Sequence, residues 1–278
     1  MFAATSPKGA AGELEALLAQ MDAFPANPSV AMRVLWIADD PRATAPLLAN
    51  TLEQDPALSA KVLRIANSAY FSPGARVTNV PRAVVTVGFA TVRALAAGAV
   101  TGLDDGQGLP ERFWEHSAQV AHATGLVARH FGVGANDAFA AGLLHDLGEG
   151  VMCRTAPDVW SEIAAWTATG TPDRLESERE RFGADHTEVG GRILRAWHLP
   201  DELSDAVRSH HDTTPANPLG RALACGAAFA ALVCEELDDE RSEAAMARLD
   251  REGISADFVD RVGPRLAEET AALAESFR

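Results

Sequence analysis

Five of the eight histidines stand among neighbours that suit metal coordination. His145-Asp146 lies in GLLHDLGEG, directly after an apolar run, so an imidazole and a carboxylate sit side by side near a helix end. His116 occurs in FWEHSAQVAHATG, His186 in GADHTEVGG, and the pair His210-His211 in VRSHHDTT. Imidazole nitrogen with carboxylate oxygen suits Fe, Mn, Zn, Ni or Mg, water completing the shell. Each of these segments opens or closes its own expected helix, so a bundle can bring all of them to one interior point. A lone histidine on an amphipathic helix is usually a packed or solvated residue, and His122, His130 and His198 are read that way.

The elements that must position these groups are helices. Apolar residues recur mostly at three- and four-residue spacing, and alternating β-type stretches are nearly absent. The pattern predicts helices over about 11–22, 29–38, 43–53, 56–67, 80–100, 112–131, 136–150, 158–168, 172–182, 186–197, 200–210, 218–236 and 254–276. Asp55-Pro56 is a cap followed by proline at the first helical position, and Asn27-Pro28 and Leu199-Pro200 mark further boundaries. Asn67 is expected to cap the 56–67 helix, with Tyr70 and Phe71 anchoring the loop behind it. Gly88 is expected to allow close helix packing. Trp197, Leu199 and Pro200 are expected to form a tight corner.

Composition narrows the function classes. The 278 residues carry 24 basic and 39 acidic side chains, a net charge of −15, and only two lysines, Lys8 and Lys61. Such a surface repels phosphate backbones and anionic lipid, so direct nucleic-acid binding and membrane association are not expected. The longest charge-free apolar stretch, Ala222–Cys234, is too short to span a bilayer, and the first twenty residues lack a signal-peptide pattern. Cys153, Cys225 and Cys234 show no CxxC spacing and read as buried free thiols of a cytoplasmic protein. Thr101–Pro110 (TGLDDGQGLP) reads as a linker or exposed loop. Residues 1–107 hold 8 basic and 9 acidic groups, against 16 and 30 in 108–278. The segment from Glu235 onward reads as a charged, solvated helical tail without a function of its own.

The order His…His-Asp…His…His-His, with LLHDLGE at its centre, resembles the HD superfamily of metal-dependent phosphohydrolases. LEQDPALSAKVLRIANSAYFS, VTNVPRAVVTVGFATVRAL and RFGADHTEVGGRILRAWHLPDELSDAVRSHHD together resemble the HDOD (HD-related output domain) family over roughly residues 22–235. The resemblance implies an all-α fold, an N-terminal helical subdomain packed on an HD-like helical bundle. The expected divisions are an extension (1–21), the N-terminal subdomain (22–107), the HD-like subdomain (108–236) and a C-terminal helical tail (237–278). It implies a divalent transition metal (Fe, Mn, Zn or Ni) held by His116, His145, Asp146, His186, His210 and His211. Two departures from the HD pattern stand out: Gly226, or Cys225, where a last aspartate is expected, and Arg112 where related phosphodiesterases place an acid. With Asp146 as the one remaining carboxylate, two-metal hydrolysis is not expected. The resulting reading is a bacterial-type signalling module, non-catalytic, that works through contact with a separate protein partner. The alternatives are a phosphohydrolase acting on a nucleotide or cyclic dinucleotide, and nucleotide binding without turnover.

Overall fold

Local capping chemistry starts most of the helices where the sequence suggests. The Asp55 carboxylate accepts the amides of Ala57 and Leu58, both at 3.0 Å, and Pro56 is the first helical residue. Ser29, Thr44, Asn79, Asp173, Asp185, Asn217 and Asp238 accept amides of their own first turns in the same way. The computed structural model describes residues 7–21, 29–72, 74, 76–103, 108–110, 112–167 and 173–275. Asn27-Pro28 and residues 104–107 lie outside that set. Among the described residues the secondary structure is helical throughout.

The first helix, α1 (Pro7–Met21), is followed by α2 (Val30–Asp39), α3 (Ala45–Leu52), α4 (Pro56–Ala66) and α5 (Val80–Val100). Helices α2, α3 and α4 pack around α5, burying Leu35, Leu48, Leu52 and Ile65. Helix α5 is long and apolar enough to cross a membrane, a feature the charge-free run had not revealed because Arg93 interrupts it, but 61% of its apolar window is buried inside the protein. It bends at Gly88 (φ 79°, ψ 161°), where Asn136 approaches too closely for a side chain. Asn67 ends α4 as expected: its amide donates to the Leu63 and Val77 carbonyls and its oxygen accepts the Val77 amide, each at 2.8 Å. Tyr70 and Phe71 then lie with ring centroids 5.0 Å from Phe139, joining this layer to the next.

The second layer comprises α6 (Phe113–Val127), α7 (Ala135–Leu144), α8 (Leu147–Thr155), α9 (Pro157–Thr167), α10 (Arg174–Phe182), α11 (His186–Ala196), α12 (Asp201–Arg208) and α13 (Pro218–Cys234). The single helix expected over 136–150 is two, α7 and α8, broken at His145-Asp146. Trp197 and Leu199 are buried at the turn between α11 and α12, where the Leu199 amide donates to the Leu194 carbonyl at 3.0 Å. Helix α1 packs on α8, α10 and α11, with Ala10, Leu14 and Leu18 buried.

Two expectations change. The 101–110 stretch is not simply an exposed loop: Leu103 is fully buried, its carbonyl accepts Trp114 Nε1 at 3.1 Å, and Cys153 Sγ reaches the Gly108 carbonyl at 3.0 Å. The segment after Glu235 is not a solvated tail either. It forms α14 (Asp239–Arg251) and α15 (Ala256–Glu275), which cover α13 and α6 and bury Leu249, Ile254 and Leu266. Cys153 and Cys225 are buried and Cys234 half-buried, all three free thiols.

Candidate metal centre

The break between α7 and α8 places the centre. His145 closes α7 and Asp146 caps α8, so both side chains leave the backbone at one helix junction. His186 is the first residue of α11, His116 lies in the first turn of α6, and His210-His211 follow the last turn of α12. Backbone-to-backbone packing draws these ends together. A Cβ at Gly142 would stand 2.5 Å from the Ala121 Cα, which brings α7 onto α6. One at Gly148 would overlap the His186 carbonyl and lie 2.7 Å from the Gly190 nitrogen, which brings α8 onto α11.

All six residues named from the sequence converge. Asp146 Oδ2 lies 3.0 Å from His145 Nε2 and 3.5 Å from His116 Nε2, and those two nitrogens are 3.2 Å apart. Asp146 Oδ1 faces the other way, 3.6 Å from His186 Nε2 and 3.7 Å from His210 Nε2. His186 Nε2 is 3.2 Å from His211 Nε2. Two groups of three donor atoms result, His116–His145–Asp146 and His186–His210–His211, each within 4.8 Å, with one carboxylate between them.

The far side of the rings is fixed by hydrogen bonds. Nδ1 of His145 faces the Gly142 carbonyl at 2.8 Å and Nδ1 of His210 the Val207 carbonyl at 2.7 Å. Nδ1 of His186 pairs with Glu178 Oε2 at 2.7 Å, and the same oxygen accepts the His186 amide at 2.8 Å. These contacts select the tautomer that leaves Nε2 free for a cation. His210 Nε2 is buried and has no hydrogen-bond partner. Such an atom costs about 1–3 kcal/mol, which a bound cation relieves. The donor set therefore fits a divalent transition metal.

The HDOD domain model matches residues 24–213. The protein belongs to the HDOD domain family. A solved structure from Shewanella amazonensis SB2B, named "Putative phosphohydrolase", is 27% identical with a TM-score of 0.72, covering 96% of this chain and 99% of that one. An uncharacterised protein of Treponema pallidum is 26% identical over 227 residues, 80% of this chain and 44% of its own length. Ribonuclease Y of Aquifex aeolicus is 30% identical over 112 residues, 40% of this chain and 15% of that protein. The chain thus spans less than half the length of these two curated relatives.

Electrostatics divide the centre of this HDOD protein. Burial opposes ionisation of Asp146, but the surrounding imidazoles, His145 foremost, outweigh it and hold the carboxyl well below its usual range. Burial lowers His210 far below the histidine range, and takes His211 down to about 4. His116 and His186 are also penalised by burial, yet Glu235 and Glu178 respectively raise them above their ordinary value. Glu149 is raised by burial and by Asp146, while Arg174 binds it at 2.5 Å and Glu178 at 3.0 Å.

Glu149, Arg174, Glu178 and Glu235 are the functional residues that sequence reasoning passed over. Glu235 Oε1 lies 3.4 Å from His116 Nδ1. Asp146 remains the one carboxylate at a position the HD pattern expects, but three glutamates from other positions add negative charge nearby: Glu149 beside Asp146, Glu178 behind His186 and Glu235 behind His116. Gly226 is not a vacant ligand position. A Cβ there would overlap the Thr124 hydroxyl and stand 2.6 Å from the Thr124 Cα, so this glycine lets α13 pack against α6. Cys225 lines a separate cavity with Arg248. Arg112, at φ 64°, turns to Glu115, with contacts of 3.0 and 2.6 Å, and its side chain is 55% exposed.

Proposed function

We propose that this HDOD protein is a cytoplasmic metal-dependent phosphohydrolase acting on a phosphate ester. The observation that carries the reading is Asp146, whose two oxygens face two separate histidine-containing ligand groups. His116, His145 and Asp146 would hold one ion, and Asp146 with His186, His210 and His211 a second. Divalent ions so held supply Lewis acidity toward a phosphoryl oxygen and acidify a coordinated water. Glu178 fixes the His186 ring, and Arg174 balances the charge of Glu149 and Glu178. Beside them a cavity of about 320 Å³ is lined by Glu149, Trp160, Arg174 and Arg241, with the Arg174 guanidinium 5.1 Å from the Trp160 ring centroid. With Arg174 committed to Glu149 and Glu178, the exposed Arg241 guanidinium is the group there that would meet the phosphoryl end of a nucleotide. The name of the Shewanella relative agrees in class.

A second reading keeps the metal but not the turnover: the centre would stabilise a signalling module that acts through a separate protein. It is favoured by burial, since His145, Asp146, His186 and His210 are each no more than 7% exposed and only His116 and His211 approach the surface.

The test is metal analysis of protein purified without added metal, paired with hydrolysis of bis(p-nitrophenyl) phosphate in Mn(II) or Fe(II). Bound metal and turnover, both lost in Asp146→Asn, are the expected result. Metal content near zero in native and reconstituted protein overturns the centre. Stoichiometric metal without turnover overturns the hydrolase and leaves the signalling module.

A further inference from the structure

We propose that a second cavity, remote in composition from the metal centre, binds an oxyanion of the phosphate class. It encloses about 280 Å³ between α13, α14 and the segment that follows His211, and its polar lining is Thr213, Thr214, Arg221, Cys225, Arg248 and Arg251, with Glu252 at one side. None of these residues is among the six candidate metal ligands.

Charge balance carries the argument. In a protein of net charge −15, three guanidiniums gather at one small cavity. Arg221 is neutralised by Glu252, with contacts at 3.2 and 3.1 Å from Nε. Arg248 and Arg251 have no such direct pairing. Arg248 Nη2 donates to the Asp212 carbonyl at 2.9 Å and Arg251 Nε to the Ala247 carbonyl at 3.2 Å. Among the described residues, no carboxylate forms an ion pair with either of them. Burial foremost, and then the neighbouring Arg251 charge, depress the pKa of Arg248, and the charges of Glu252 and Asp212 offset them only in part. Burial pushes the Cys225 thiol up to about 11, so it stays neutral and does not repel an anion.

Guanidinium forks match phosphoryl oxygens in geometry, and the two threonine hydroxyls offer further donors. A volume of about 280 Å³ is at the small end for ligand sites, enough for phosphate, diphosphate or the phosphoryl end of a nucleotide. The site also abuts the chain immediately after His210-His211, so an anion there would sit against the same connection that carries two candidate ligands.

The experiment is calorimetric titration of the full chain stripped of metal by chelation, which removes the metal centre as a competing phosphate site. Inorganic pyrophosphate is the probe in one arm and adenosine monophosphate in the other. One saturable site is expected, with affinity falling about ten- to hundred-fold in Arg248→Gln and in Arg251→Gln. Arg251 is exposed, so its variant keeps the fold even if Arg248→Gln does not. Arg112→Gln, which removes the same charge elsewhere, should leave affinity within about two-fold. Tighter pyrophosphate identifies a free diphosphate guest, and tighter nucleotide identifies the phosphate of a larger molecule. No saturable binding in either arm, or an equal loss in Arg112→Gln and Arg251→Gln, overturns the proposal.

Discussion

The two sides of the candidate centre are built differently, although Asp146 serves both. The His116–His145 side has an exposed edge, a carboxylate at 3.0 Å and Glu235 behind His116. The other side consists of three imidazoles, two of them held neutral by burial and the third braced by the buried carboxylate of Glu178. A carboxylate-rich, partly solvated site tolerates harder ions, whereas a buried imidazole cluster favours borderline transition metals. The contrast teaches that ligand identity alone, which is what a sequence displays, does not set how each side will behave. Orientation and surrounding charge do.

The most severe way to break the comparison is Asp146→Asn. If one carboxylate serves both sides, metal affinity should fall more than about hundred-fold at both, read as two metals lost together by mass spectrometry. Loss of a single ion would show that the sides do not share it. Gly226→Asp comes next. Were position 226 an empty ligand site, the variant would gain metal affinity. The packing against Thr124 instead predicts a loss of about 3 kcal/mol or more in urea unfolding, with no gain in metal. Glu178→Gln sharpens the contrast, because it should weaken the imidazole side about ten- to hundred-fold and leave the His116 side within about three-fold.

Acidification tests the electrostatic difference. His116 and His186 have raised pKa values, so as pH falls through them each gains a proton that competes with metal. His211, at about 4, and His210 stay neutral over the same range. Apparent metal affinity should therefore fall from pH 8 to pH 6, by up to about ten-fold per unit for each side. An affinity flat over that window contradicts the assignment. The smallest effect is expected for Arg112→Glu. Arg112 is half exposed and already paired with Glu115, so metal affinity should change by less than about three-fold.

Much of this was legible in the residues. Helix starts announced themselves through Asp55-Pro56 and Leu199-Pro200, and the six candidate ligands could be named because their order resembles the HD pattern. The break at His145-Asp146 was only half visible: the apolar run from Ala138 stops at Leu144, but apolar residues return at Leu147, Val151 and Met152 at helical spacing, so one helix was drawn across it. Glu178 was hidden by its setting in RLESERERF, where charge on every side masks the one acid that points inward. A signal did exist: Glu178 lies four residues from both Arg174 and Phe182, on the face that Phe182 buries. Gly226 misled because an absent side chain reads equally as a lost ligand and as a packing contact, and only the neighbouring helix tells them apart.

Helix α1 has a consequence for how the chain is made. Glu15 is joined to Arg192 at 2.7 Å, a pairing separated by 177 residues, and the buried face of α1 rests on α8, α10 and α11. At translation rates of about 5–20 residues per second, that surface emerges from the ribosome roughly 10–35 s after α1 does. The apolar stripe of Leu14 and Leu18 must wait that long without its partner. Helix α1 is thus made before the helices it rests on and can dock only after the last of them is complete.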